Sequence, residues 1–353
     1  AVELLASSGA ASVTVTDLKE AADLKDELNR LARYSNVSAH LGANPPELVN
    51  DSLALIVASP GVPPSLGLFK EAYRLGVPVI SEIELAYAFL KAPLIGITGT
   101  NGKTTTTALI AAILESAGFQ PIAAAGNIGS PLCKLVGKFS AQGYIVAELS
   151  SFQLDRIVNF RPFISVILNF EADHLDYHGS IDSYFEAKAR IVENQLPADF
   201  TILNAADDRV RSLQVRTKAR VIWFDCQPVE LGVGVDDEWL TIYNPGEEQQ
   251  KICHLKELSL PGDHNLENCL AAAAAAWVAG ADPEAIGNTL KTFAGIEHRL
   301  EHVLTLDNID YINDSKGTNP GATIRAIKAF PDRKIILIAG GMDKGADFTS
   351  LAA

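Results

Sequence analysis

The sequence lacks paired cysteines, membrane-length apolar runs and any excess of positive charge. Its four cysteines, Cys133, Cys226, Cys253 and Cys269, form no C-x-x-C pair, and their gaps do not suit a zinc site. Free thiols in a reducing cytosol follow, so the expected location is cytoplasmic. No apolar stretch runs unbroken for the roughly 18 positions a membrane span needs. The alanine-rich run from Leu270 to Val278 is short and reads as a core helix. No basic n-region opens the chain, so no signal peptide is indicated. Lysine and arginine total 29 against 43 aspartates and glutamates, a formal net charge of -14. Such a field repels nucleic acid and anionic membranes, which excludes both as partners. An anionic substrate then depends on a local positive site.

The 353 residues suffice for two or three domains with sizeable cores. Hydrophobic residues at 48% and charged residues at 20% place the chain in the soluble globular class. No internal repeat or low-complexity linker interrupts it. Residues 1–91 alternate between helix and strand patterns. A helical opening is followed by strand SVTVTD ending at Asp17 and an amphipathic helix over residues 18–34. Then come the buried strand LALIVAS, the turn SPGVP, a helix from about Ser65, strand VPVIS and helix EIELAYAFLK. This predicts a small parallel α/β domain. The opening helix has no strand and glycine loop before it, and ADFTSLAA stops just after a glycine turn. Both chain ends are therefore expected to be incomplete.

Residues 92–295 begin with LIGITGTNGKTTTTALIAAILESAG. Strands YIVAE, SVILNF, FTILNA and RVIWFD follow, with a helix over SIDSYFEAKARIVEN, strand-like runs over residues 229–256 and two further helices. Residues 296–353 hold strands EHVLTL and DYINDS, helix NPGATIRAIKAF and strand KIILIAGG.

The loop Gly99-Thr100-Asn101-Gly102-Lys103-Thr104 lies between an apolar strand and a long helix. Backbone amides of such a loop, with the helix N-terminus, make a nest for polyphosphate oxygens. Lys103 can reach the outer phosphates and the Thr104 hydroxyl can hold Mg²⁺. The spacing is a compact variant, because Ile97 stands where the usual pattern has its first glycine. Glu148 closes the apolar strand that starts at Tyr144. At the carboxyl end of a buried strand beside a phosphate loop it suits a Mg²⁺ ligand; the other reading is a strand-end glutamate facing water. His174 either binds metal or a phosphoryl group, or is an ordinary hydrogen-bonding loop residue. Lys188 reads as a solvated helix lysine.

Taken together, TGTNGKTTT, GNIGSP, AELSSFQLD, LNFEADHLDYHG, YFEAKARI, PGDHNLEN, HRLE, NDSKGTNPGAT and GGMDKGADF resemble the Mur ligase family, in order and at family-like spacing, from about Asp17 to Leu351. The resemblance implies an α/β, three-domain architecture. A Rossmann-like N-terminal domain (1–91) binds the UDP part of the substrate, a central P-loop ATPase domain (92–295) binds ATP, and a Rossmann-like C-terminal domain (296–353) delivers the amino acid. It implies an ATP-dependent acid–amino-acid ligase working through an acyl phosphate. SSFQL, DSKGTN and DKGADF point to UDP-N-acetylmuramoyl-L-alanine and D-glutamate as substrates, in peptidoglycan precursor synthesis. A P-loop regulatory switch without ligation would not need these amino-acid-side segments.

The resemblance also implies roles for single residues. ATP meets Gly99, Thr100, Asn101, Gly102, Lys103, Thr104 and Thr105, with Asn265 and Asn268 near adenine and Arg299 and Asp314 facing the nucleotide. Thr104, Glu148, His174 and a carbamylated Lys188 hold two Mg²⁺ ions, the carbamate coming from CO₂. Lys103, His174 and Lys188 form the catalytic set. Asp17, Ser59, Pro60, Gly61, Asn127, Ser150 and Gln153 contact the UDP substrate. Lys316, Thr318 and Lys344 surround D-glutamate, and the protein is expected to be a monomer.

Overall fold

The computed structural model describes residues 1–317, 320–330, 333–341 and 348–352. The N-terminal region contains α1 (Val2–Ser7), β1 (Val13–Asp17), α2 (Lys25–Leu31), β2 (Val37–Leu41), β3 (Ile56–Ala58), α3 (Gly67–Leu75), β4 (Val79–Ser81) and α4 (Glu82–Tyr87). β1 pairs with β2 and β3 with β4, both in parallel. Helix α3 buries Leu68, Phe69 and Ala72 against Val49, Ala58 and Val77, and ends at Gly76 in the left-handed conformation, the usual glycine C-cap. Helix α2 is shorter than the sequence pattern over residues 18–34. The Lys19 N–H donates to Asp17 Oδ1 at 2.9 Å, a local side-chain turn that competes with helix at its start.

The central region carries β5 (Leu94–Thr98), α5 (Lys103–Ser116), β6 (Ile122–Gly126), β7 (Tyr144–Glu148), α6 (Ser151–Leu154), β8 (Ile164–Ile167), α7 (Leu175–His178) and α8 (Ile181–Ala189). It continues with β9 (Phe200–Asn204), α9 (Asp208–Arg211), β10 (Arg220–Phe224), β11 (Gly232–Asp236), β12 (Trp239–Tyr243), β13 (Gln250–His254), α10 (Asp263–Val278) and α11 (Pro283–Thr292). Its strands form one nine-stranded sheet, β13-β12-β11-β10-β9-β8-β5-β7-β6. The pairs from β6 through β11 are parallel, and β11–β12–β13 is an antiparallel meander.

Strand β5 is buried along its whole length, as expected for an apolar run in the middle of a parallel sheet. On one face α5 and α10 pack together, and Ala271 to Ala276 are fully buried. A methyl-only helix surface lets α10 approach closely. Ile83, Leu132, Leu154, Phe160 and Ile191 cover part of the other face. Because β5, β7 and β8 are parallel neighbours, the segments after Thr98, Glu148 and Ile167 leave the sheet at one edge, where open α/β sheets bind ligands.

The described C-terminal residues include the hairpin β14 (Glu301–Leu306) and β15 (Ile309–Asn313), α12 (Pro320–Lys328) and α13 (Thr349–Ala352). The segment from Lys334 to Gly341, read as a strand, forms none. A strand is a paired state; this segment has no ladder partner among the described residues, and Ile336 and Ile338 are exposed. No helix among the described residues is long and apolar enough to cross a membrane.

Buried Glu84 joins α4 to the central region. Its carboxylate accepts the Val158, Asn159 and Phe160 N–H groups, each at 2.8 Å. Glu84→Ala strands three amide donors, two of them only partly reachable by water. The expected loss is about 3 kcal/mol or more of unfolding free energy, read from urea titrations, with Glu84→Gln losing less.

Candidate active site

The loop after β5 is shaped by two glycines and one asparagine. Gly102 has φ +86°, and a Cβ there would lie 2.1 Å from Asn268 Oδ1, so no side chain fits. Asn169, just beyond β8, pins the loop from beside it. The Asn101 N–H donates to Asn169 Oδ1 at 2.9 Å, Asn169 Nδ2 donates to the Asn101 carbonyl at 3.1 Å, and the Thr100 N–H donates to the Asn169 carbonyl at 3.1 Å. Helix α5 starts at Lys103, so its free first-turn amides and positive dipole end face the loop.

Two lysines converge here. Lys103 Nζ donates to the Gly99 and Thr100 carbonyls at 3.0 and 2.8 Å, and Lys188 Nζ donates to the same Gly99 carbonyl at 2.7 Å. Burial lowers the pKa of Lys103, and burial together with the Lys103 charge holds Lys188 well below an ordinary lysine. The solvated-lysine reading of Lys188 is therefore wrong. The side chain is buried, because α8 packs it beneath a loop 89 residues away in sequence. Its ammonium would sit over the Tyr184 ring, 4.6 Å from the centroid.

Glu148, at 2% exposure, does not face water. The Thr104 hydroxyl donates to its Oε2 at 2.7 Å and Asn127 Nδ2 donates to its Oε1 at 2.8 Å. A buried carboxylate and a hydroxyl are hard oxygen donors, the set Mg²⁺ prefers. Among the described residues no group of three His, Cys, Asp or Glu side chains is ready to hold a metal. A Mg²⁺ ion here would thus draw its remaining ligands from phosphate oxygens and water, its usual habit. The donors present fit that ion.

His174 stands just before α7 with φ +51° and is part of an aromatic cluster. Its ring is 4.9 Å from Phe152 and 6.2 Å from Tyr184, the ring that Lys188 also approaches. Ser150 and Gln153 hold each other in a capping box at the start of α6. Asp17 closes β1, and Gly61 turns the Ser59-Pro60-Gly61 segment with φ +79°. The next carbonyl, of Val62, accepts from Arg156 at 3.4 Å and from the Tyr177 hydroxyl at 3.3 Å, which ties that turn to α7.

Beside the loop opens a cavity of about 680 Å³ whose walls include Asn101, Gly102, Thr105, Asp207, His264, Asn265, Asn268, Arg299, Asp314 and Arg325. Asn268 accepts from Thr106 and donates to Asn265, both at 3.3 Å, and Asn265 Nδ2 donates to the Pro261 carbonyl at 2.7 Å. Arg299 pairs with Asp314 at 3.7 Å. The Lys316 N–H donates to the His298 carbonyl at 3.1 Å. Thr318 and Lys344 lie outside the described residues. Asn169, Tyr184, Asp207, Glu171, His264 and Arg325 were not singled out from sequence. Asn169 is the one with a local signal, an asparagine directly after a strand that neighbours the loop strand.

Burial, then the Arg325 and Arg299 charges, lower His264 to about 4. The unfolded chain takes up this proton near pH 6.5, and the folded chain does so only near pH 4. The contribution of His264 to stability is therefore present above pH 6.5 and lost as pH falls towards 4. Urea midpoints at pH 7 and pH 5 should show a smaller acid loss for His264→Gln than for the unaltered protein.

Comparison with known proteins gives one consistent answer. The family profile of the Mur ligase middle domain matches residues 97–276. The UDP-N-acetylmuramoylalanine–D-glutamate ligase of Clostridioides difficile is 44% identical over 343 residues, covering 97% of this chain and 75% of that protein. The enzyme of the same name from Lactococcus lactis is 43% identical, covering 97% and 74%. Among solved structures, MurF from Acinetobacter baumannii superposes with TM-score 0.57 at 19% identity, over 81% of this chain and 71% of that one. A murein peptide ligase from Psychrobacter arcticus gives TM-score 0.57 at 20% identity, over 99% and 79%. These structural likenesses speak for the fold.

Proposed function

The chain belongs to the Mur ligase family, and on that premise we propose the following reading of its site. It joins D-glutamate to UDP-N-acetylmuramoyl-L-alanine with consumption of ATP, a step of peptidoglycan precursor synthesis. A carboxylate oxygen of the muramoyl-alanine attacks the γ-phosphorus and ADP departs. The amine of D-glutamate then attacks the acyl carbon, phosphate leaves, and the nitrogen loses a proton.

Both partners in the first step are anionic, so positive groups must face the point of transfer. Lys103 does this by exchanging its present carbonyl partners for phosphate oxygens, and the amides of the Gly99–Thr105 loop, those of the first turn of α5 being free, add further donors. Thr104, Glu148, His174 and a carbamylated Lys188 would hold two Mg²⁺ ions, which would supply charge neutralisation. Lys188 is suited to carbamylation because burial favours its neutral amine, which adds CO₂ and releases a proton. Asn265 and Asn268 take the adenine side of the cavity, with Arg299 and Asp314 across it. Asp17, Ser59, Pro60, Gly61, Asn127, Ser150 and Gln153 take the UDP substrate, and Lys316, Thr318 and Lys344 the D-glutamate.

The architecture is read as three domains, over residues 1–91, 92–295 and 296–353, in a cytoplasmic monomer. The observation that carries the site is the meeting of two lysines, Lys188 buried and Lys103 half-buried, on the Gly99 carbonyl, beside the Thr104–Glu148 pair. Phosphate release should require ATP, UDP-N-acetylmuramoyl-L-alanine and D-glutamate together. Equal release without D-glutamate, or with L-alanine in its place, would reject this reading.

A further inference from the structure

One charged contact joins parts of the chain that ligation has to bring together. Arg325 on α12 meets Glu171, in the loop after β8, at two points: Nη1 to Oε1, and Nη2 to Oε2 at 3.3 Å. Glu171 is itself fixed to the phosphate loop. Its Oε2 accepts from Asn101 Nδ2 at 3.2 Å, its N–H donates to Thr100 Oγ1 at 3.0 Å, and its carbonyl accepts from that hydroxyl at 3.1 Å. The carboxylate therefore bridges the tip of the loop to α12, and both partners line the cavity.

Helix α12 begins at Pro320, shortly after the turn that carries Lys316. A helix is stiff over nine residues, so an anchor at Arg325 sets where its start at Pro320 stands relative to the phosphate loop. Near the far end of α12, Ala329 lies close to Gly262, where an added Cβ would come within 3.0 Å of it. That small apolar contact tolerates sliding; a planar two-point guanidinium–carboxylate pair does not. The side chains are 27% and 47% exposed, so the pair adds little to stability and its consequence is geometric.

We infer that Glu171 and Arg325 are positioning residues for the amide-forming step. The pair holds α12 and the amino-acid-binding turn in register with the loop, so that the incoming amine, and not water, meets the activated carboxyl. The inference rests on the ligase reading, and neither residue touches the reacting atoms. With the pair broken, the amine is misplaced and water hydrolyses the acyl phosphate. The carboxylate is regenerated and phosphate leaves, so ADP and phosphate form without amide.

The test compares the unaltered full chain with Glu171→Gln, Arg325→Gln, the double variant and Arg325→Lys. The readouts are amide formed per ADP released and the separate KM values for D-glutamate and ATP. Each Gln variant should raise KM for D-glutamate about fivefold and lower the amide yield per ADP, with KM for ATP within about twofold. The double variant should match the singles, since all three remove the same contact, and Arg325→Lys should fall between. Single effects that multiply to about twenty-five-fold, a loss falling on ATP instead, or no change in any variant would overturn the inference. If the unaltered protein makes no amide from these substrates, the ligase reading fails first and takes this inference with it.

Discussion

Lys103→Ala should abolish acyl phosphate formation and leave the fold intact. The Lys103 ammonium is a positive group held against the loop. At present it rests on the carbonyls of Gly99 and Thr100, 3.0 and 2.8 Å away, where incoming phosphate oxygens outcompete neutral acceptors. Removing one preorganised donor from developing charge lowers turnover by roughly a hundredfold to a thousandfold. The loss should be larger here, because the Lys103 charge also lowers the pKa of Lys188. Stability should hold, since a partly desolvated ammonium gives folding little and the Gly99 carbonyl keeps its bond from Lys188. The measurements are ATP-dependent phosphate release with both substrates, and the thermal midpoint. Normal release by this variant would remove Lys103 from the chemistry.

Lys188→Ala should be inactive and partly recovered by small carboxylic acids. The amine is buried beneath the loop, and its pKa is held down first by burial and then by the charge of Lys103. Burial favours the neutral form of this enclosed amine, the form that takes up CO₂, and the resulting carboxylate would be a hard oxygen donor suited to Mg²⁺. Alanine removes that carboxylate and leaves a space where acetate or formate can sit. Loss of groups that merely orient a metal ligand lowers activity about 10- to 100-fold, and loss of the ligand itself should exceed that. Full activity of Lys188→Ala without added acid would eliminate the carbamate. Acid rescue of Lys188→Ala with none for Lys103→Ala would separate the two lysines by role.

The strand–loop–helix unit after Leu94 was legible because its parts are contiguous: an apolar strand, two glycines and a helix start within Leu94–Ser116. Glu148 was legible from its place at a strand end, although its burial and its bond to Thr104 depend on β7 lying next to β5. Lys188 shows the limit of local pattern. Its same-face neighbours Tyr184, Ile191 and Val192 are apolar and buried, which sets it on the inner face, but nothing nearby in sequence names the distant loop whose carbonyl it meets. Strand β6, with sequence IAAAG, was missed because alanine and glycine carry little strand preference; pairing with β7 makes it a strand. The opposite error occurred at Lys334–Gly341, where a β-branched apolar run has no neighbour to pair with among the described residues. Glu84 was invisible for the same reason as Lys188, since its three amide partners lie more than seventy residues away.

The central claim is that the γ-phosphoryl group passes to the substrate carboxylate before the amide forms. It is tested most directly by placing oxygen-18 in the terminal carboxylate of UDP-N-acetylmuramoyl-L-alanine and following the label through one turnover with ATP and D-glutamate. The attacking carboxylate oxygen should depart with phosphorus, so that inorganic phosphate carries one labelled oxygen for every amide made. Phosphate free of label, or label found in a released nucleotide, would contradict it.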